Sequence, residues 1–158
     1  MKTDMNSDLS SYYNGDDLKN PNFLYLGSPN RIDFDKLNME IMTGYRSNFK
    51  MYLTAHYNTA IANAFAQKLI EKNPDKAKEI TVDSYSIPIL KANGVEDLDD
   101  NAEGYLYIFE CPEDAKNFKK YDFIVDGFMM PIKTKEFYYK DHKVYFSVNQ
   151  ETKKLNNM

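Results

Sequence analysis

A chain of 158 residues, 42% of them apolar and including 13 tyrosines and 10 phenylalanines, is long enough for one domain with a buried core. It is too apolar for intrinsic disorder over most of its length. A net charge of −4, with Arg31 and Arg46 the only arginines among 20 basic residues, excludes the broad basic face of a generic nucleic-acid binder.

The chain shows no apolar run of membrane-spanning length, its first residues, MKTDMNSDLSSYYNGDD, lack the apolar stretch expected of a secretory signal, and its single cysteine, Cys111, has no internal disulfide partner. A reducing cytoplasm is the expected setting, and no membrane association is expected. Residues 1–21, rich in Ser, Asn, Asp and Gly, read as a flexible N-terminal arm, and 150–158 as a flexible tail. Between them, 22–149 reads as a single domain.

The stretch NFLYLGS (22–28) predicts a short strand closed by Gly27-Ser28-Pro29, where glycine permits positive φ and proline presets the next φ. FKMYLTA (49–55) predicts a second strand, with Phe49, Met51 and Leu53 on one face and Tyr52 on the other. Thr54 is expected to cap the following helix, in which Ala60, Ile61, Ala64, Phe65 and Leu69 recur at helical spacing. Its alanines form a small-residue face able to press close to a sheet, and it stops before Pro74.

ITVDSYSIPIL (80–90) reads as strand interrupted by Pro88, which suits an edge, and an acidic loop follows. GYLYIFE (104–110) is a strong strand signal. Pro112 predicts the start of a short helix over 112–120, and YDFIV, FMMPIK and KVYFSV predict further β segments. The order implies an α+β domain dominated by antiparallel sheet rather than a doubly wound fold.

A guanidinium grips phosphate or carboxylate bidentately, which singles out Arg31 and Arg46. His56 and His142 show no metal-ligand spacing, and the acidic VEDLDD lacks the ligand pattern of a calcium loop. Tyr138 and Tyr139, in a tyrosine-rich run, offer a candidate protein-binding surface.

Four ordered stretches carry a resemblance: Tyr25-Leu26-Gly27-Ser28, then Tyr52-Leu53-Thr54 with the helix Ala60–Ala66, then 103–118, then 121–133. Together they resemble the ADP-ribosyltransferase superfamily, its small bacterial and phage-type members above all, with some likeness to rifampin ADP-ribosyltransferase. The resemblance implies a split, mostly antiparallel sheet with a helix packed after the second strand and NAD in the split. It implies that Gly27 holds the nicotinamide amide through its backbone, that Tyr52 stacks on the ring and that Ser28 lies near the ribose. Tyr25 and Arg46 complete the implied cofactor-binding set.

The implied catalytic pair is Tyr52 and a carboxylate, Asp122, with Asp126 and Glu136 as substitutes. The family's motif histidine is replaced here by Leu26, with His56 nearby in sequence. The activity implied is mono-ADP-ribosyl transfer from NAD to a macromolecular or small-molecule acceptor. The alternative is a catalytically degenerate member acting as a protein-binding module or as a phage or mobile-element inhibitor.

Overall fold

Strands β1 (Phe23–Ser28), β2 (Lys50–Thr54), β5 (Glu103–Glu110), β6 (Lys116–Lys119), β7 (Asp122–Asp126) and β8 (Lys133–Tyr138) form one antiparallel sheet, ordered β6–β7–β2–β1–β5–β8. A second sheet pairs β3 (Ile80–Asp83) antiparallel with β4 (Ile89–Ala92), and β4 parallel with β9 (Ser147–Asn149). The helices are α1 (Phe34–Met42), α2 (Tyr57–Lys72) and the single turn α3 (Tyr139–His142), with 3-10 segments at Ser10–Tyr12 and Pro74–Glu79. This computed structural model describes residues 10–14, 18–42, 49–83, 89–92, 95–142 and 147–149. The architecture is α+β with a mostly antiparallel sheet.

Alternation along the strands sends side chains to two cores. Tyr25, Leu106, Ile108 and Phe137 face α2, whose Ala60, Ile61, Ala64, Phe65 and Leu69 pack down on them. Leu24, Met51, Leu53, Tyr107, Phe109, Phe123 and Val125 fill the reverse face with Phe34 of α1. The α2 core lies over β1, β5 and β8, whereas the reverse core spans strands from both halves of the sheet.

Gly27 sets the contact between β1 and α2. A Cβ there would lie 1.7 Å from the carbonyl oxygen of Ala60 and 3.3 Å from Cβ of Ala64. The expected positive φ is not its role, since Gly127 is the glycine in that region among the described residues. Gly27 is needed because a helix backbone rests on it.

The chain departs from expectation in four places, the first being α1, a helix over Phe34–Met42 where no element was expected. Residues 112–120 make a turn and then β6, not a helix, because β7 offers them an edge to pair with (Lys116↔Ile124, Lys119↔Asp122). Residues 128–131 carry no strand, and β8 begins at Lys133. Ile80–Asp83 and Ile89–Ala92 pair with each other as β3 and β4 rather than forming one strand, and residues 84–88, Pro88 included, lie outside the described residues.

The N-terminal stretch contributes packing as well. The Asn14 side chain bonds to Phe23 and Ala55, the Tyr25 hydroxyl donates to the Tyr12 carbonyl, and Tyr12 and Tyr13 meet Phe23 and Tyr57 edge-on.

Gly27→Ala forces the helix off β1, and overpacking of this kind costs about 1–3 kcal/mol or more. Urea unfolding should show a midpoint lowered accordingly. An unchanged midpoint would show that α2 does not rest on this residue.

Candidate functional site: a split in the central sheet

The centre of the large sheet is joined by one register pair, Tyr25↔Thr54. On either side the ladders are long: β1 runs with β5 from Phe23↔Glu110 to Ser28↔Tyr105, and β2 with β7 from Lys50↔Asp126 to Thr54↔Asp122. Beyond Tyr25↔Thr54 the two central strands diverge, and a cleft of about 260 Å³ opens between Leu26 and Gly27 on one side and Tyr52 and Leu53 on the other.

Antiparallel ladders alternate, so the backbone groups of successive residues point to opposite neighbours. Cys111 N–H donates to the Asn22 carbonyl, which assigns the even-numbered residues of β1 to β5. Phe23, Tyr25 and Gly27 therefore point toward β2. On β2, Ala55 N–H donates to the Tyr121 carbonyl and Gly127 N–H to that of Phe49, so the odd-numbered residues serve β7 and Lys50, Tyr52 and Thr54 point toward β1. Tyr25 and Thr54 meet. Gly27 and Tyr52 are the next facing pair, but no register pair joins them, and their N–H and C=O groups are directed into the cleft.

Phe23 shows what this edge of β1 binds. Its N–H donates to Oδ1 of Asn14 (2.7 Å), and its carbonyl accepts from Nδ2 of the same side chain (2.9 Å). One primary carboxamide satisfies both groups. Gly27, four residues on, presents the same pair of groups in the same direction.

The cleft walls are aromatic, amide and acidic. Tyr52 is 61% exposed and Phe118 54% exposed, and their rings meet edge-to-face with centroids 5.9 Å apart. Asn63 and Gln67, one helical turn apart on the exposed flank of α2, add two side-chain amides. Asp122 is half-buried beside Thr54. Burial pushes its carboxyl above the usual range, opposed by a hydrogen bond from Thr54 and the charge of Lys119. The rim after β1 is tied down by Lys68, whose Nζ donates to the carbonyls of Pro29 (3.0 Å) and Glu103 (2.6 Å).

Of the residues singled out from sequence, Tyr25, Gly27, Tyr52 and Asp122 line the cleft together with Leu26. The Tyr25 ring is a core element, 1% exposed, with its hydroxyl committed to Tyr12. Ser28 is not among the lining residues: its hydroxyl donates to the Asn30 carbonyl (2.6 Å) and accepts from Asn30 N–H, closing the turn. Arg46 lies outside the described residues.

Arg31 sits at a second, reverse-face cavity of about 560 Å³, its guanidinium 5.5 Å from the centre of the Tyr105 ring. Asp126 pairs with Lys50, and Glu136 accepts from the Tyr138 hydroxyl. His56 precedes α2 with Nδ1 2.7 Å from Oγ1 of Thr59. Thr54 accepts from the His56 N–H rather than capping the helix itself. Tyr139 is 2% exposed and donates to Asp97, so it belongs to the core and not to a surface.

Asn63, Gln67, Phe118 and Asn14 were not anticipated. The signal for the first two was present: they are polar breaks, four residues apart, in an alanine-rich helix. No family model, curated protein or solved structure matches the chain. No helix among the described residues is long and apolar enough to cross a membrane.

The raised Asp122 carboxyl makes a pH prediction. The folded state holds this proton more tightly than the unfolded state, so ionisation at neutral pH opposes folding and acidification relieves it. Asp122→Asn should therefore raise the urea midpoint at pH 7, and the gain should shrink as pH falls through the carboxylate range. A loss of stability at pH 7 would show that the carboxylate is held for structure.

Proposed function

We propose that the cleft binds the nicotinamide end of NAD and that the protein is an ADP-ribosyltransferase-like enzyme. The observation that supports this most directly is the Phe23–Asn14 pairing. The edge of β1 takes up a carboxamide through one N–H and one C=O, and Gly27 directs the same pair into the cleft. Nicotinamide is a flat ring carrying that group. The cleft, about 260 Å³, is below the roughly 300–1,000 Å³ that encloses a drug-sized ligand, so it suits one ring with the remainder of a dinucleotide outside.

In this reading Gly27 orients the amide and Tyr52 covers the ring, since an exposed aromatic face attracts a flat cation. NAD supplies a glycosidic bond whose electron pair leaves with nicotinamide. Asp122, when ionised, places negative charge where positive charge develops on the ribose, and it accepts the proton of an incoming nucleophile. The Thr54 hydroxyl lies beside that carboxylate in the cleft wall. Asn63 and Gln67 are the donors at hand for ribose hydroxyls.

A second reading, a protein that retains the cleft but no longer turns over NAD and serves as a binding module, rests on Leu26. Its side chain packs with the reverse-face core and brings no donor to the site. Losing such a hydrogen bond costs about 1–3 kcal/mol. Leu26→His distinguishes the two: release of nicotinamide from NAD by the variant alone supports the second, and release by the wild type, abolished by Asp122→Asn, supports the first.

The binding claim is tested by calorimetry with nicotinamide and nicotinic acid. A carboxylate offers no donor and meets the Gly27 carbonyl with like charge, so the amide should bind at least ~10-fold more tightly. Tyr52→Ala should weaken nicotinamide by about 2- to 10-fold and Tyr52→Phe much less. Saturating NAD should raise the melting temperature. Equal affinity for acid and amide, or no shift with NAD, would overturn the proposal.

A further inference from the structure

We infer that Asn14, in the segment before the domain proper, is a positioning residue that sets the width of the cleft. Its three hydrogen bonds join both sides of the seam. Oδ1 accepts from Phe23 N–H (2.7 Å) and Nδ2 donates to the Phe23 carbonyl (2.9 Å) on β1. The same Nδ2 donates to the Ala55 carbonyl (2.8 Å) at the end of β2. Along the seam the order is Asn14 bridging Phe23 to Ala55, then the single pair Tyr25↔Thr54, then the open stretch at Gly27 and Tyr52.

The geometry is that of a hinge held at one end. Tyr25↔Thr54 is the last point of contact, and one ladder pair has no fixed opening angle of its own. Asn14 supplies the second attachment, two residues along β1 on the side away from the cleft, and two attachments fix an angle. Asn14 is half-buried, and the 3-10 turn before it is anchored by Tyr12 accepting from the Tyr25 hydroxyl and by Tyr13 against Tyr57. The side chain is thus held from behind as well as from both strands.

Asparagine is specific here. Its amide donates twice and accepts once, which matches one N–H and two carbonyls. Aspartate would accept from Phe23 N–H but would set negative charge against two carbonyl oxygens and push the seam apart. Protonation would restore one donor.

The inference uses the nicotinamide reading only for its ligand arm, so the test has two arms, both in the full chain. The first is native-state amide exchange in Asn14→Ala and Asn14→Asp. Protection at Tyr25 and Thr54 should fall at least ~10-fold, while Tyr107 and Phe109 in β5 stay within about 2-fold of wild type, since local opening is separable from global unfolding. In Asn14→Asp, protection corrected for intrinsic rates should recover on acidification, which Asn14→Ala cannot do. An equal loss across β5, or no loss at the seam, would overturn the inference.

The second arm is the nicotinamide affinity of Asn14→Ala, expected to fall about 5-fold or more with the fold intact. If wild type binds no nicotinamide, the proposed ligand is wrong, and the exchange arm still decides the role of Asn14. If wild type binds and Asn14→Ala binds equally well despite an opened seam, the side chain holds the strands without setting the site.

Discussion

A six-stranded sheet joined at its centre by one residue pair is the constraint on which the rest of this structure depends. The order β6–β7–β2–β1–β5–β8 places the weak seam between β2 and β1, so each side is a three-stranded sheet, with an irregularity between Asn117 and Lys119 in the β6–β7 ladder. An antiparallel seam that stops short leaves backbone donors and acceptors facing one another, and these need water or a ligand. Edge groups are normally covered or paired because they recruit other chains. Here they lie inside the sheet, within a cleft of about 260 Å³ lined by Tyr52, Phe118, Asn63 and Gln67.

Besides the Asn14 bridge, two features keep the halves from separating or closing. The reverse-face core includes Leu24, Tyr107 and Phe109 from one half and Met51, Leu53, Phe123 and Val125 from the other, so burial of apolar surface holds them together from below. On the opposite face α2 sits on β1 and β5 through the missing side chain of Gly27, and its exposed flank, carrying Asn63 and Gln67, becomes a wall of the cleft. The open half of that face, where Tyr52 and Phe118 stand exposed, is the part α2 does not cover.

Strands β1, β2, β5 and β7 and helix α2 were legible because their apolar periodicity was clear and their ends carried Gly, Pro or Asn signals. Strand β6 was not. Its four residues are all exposed, carry no alternation to read, and follow a proline that favours a helix start; pairing with β7 decides their state. Phe118 was lost with it. Gly27, Tyr52 and Asp122 were expected to share a site and do line one cleft, but the reason for Gly27 is the helix above it rather than a turn. Ser28 illustrates the limit in the other direction: a hydroxyl beside a glycine turn has a local use, bonding two residues along, that competes with any ligand. Asn14 could not be found from local pattern, since its partners lie 9 and 41 residues away.

The direction of side chains on β1 also separates the side chain of Leu26 from the backbone groups of Gly27. Leu24 and Leu26 point to the reverse face and Tyr25 to the α2 face, while the cleft-facing groups of Gly27 belong to its backbone. A leucine at 26 therefore adds to the apolar layer that holds the halves together and takes nothing from the donor and acceptor at 27. It brings no side-chain donor beside them. Side-chain amides stand instead on the opposite wall of the cleft, at Asn63 and Gln67 of α2. The two polar walls of the cleft are thereby carried on separate structures, the backbone groups of β1 fixed by the sheet and the side-chain amides by how closely α2 approaches Gly27.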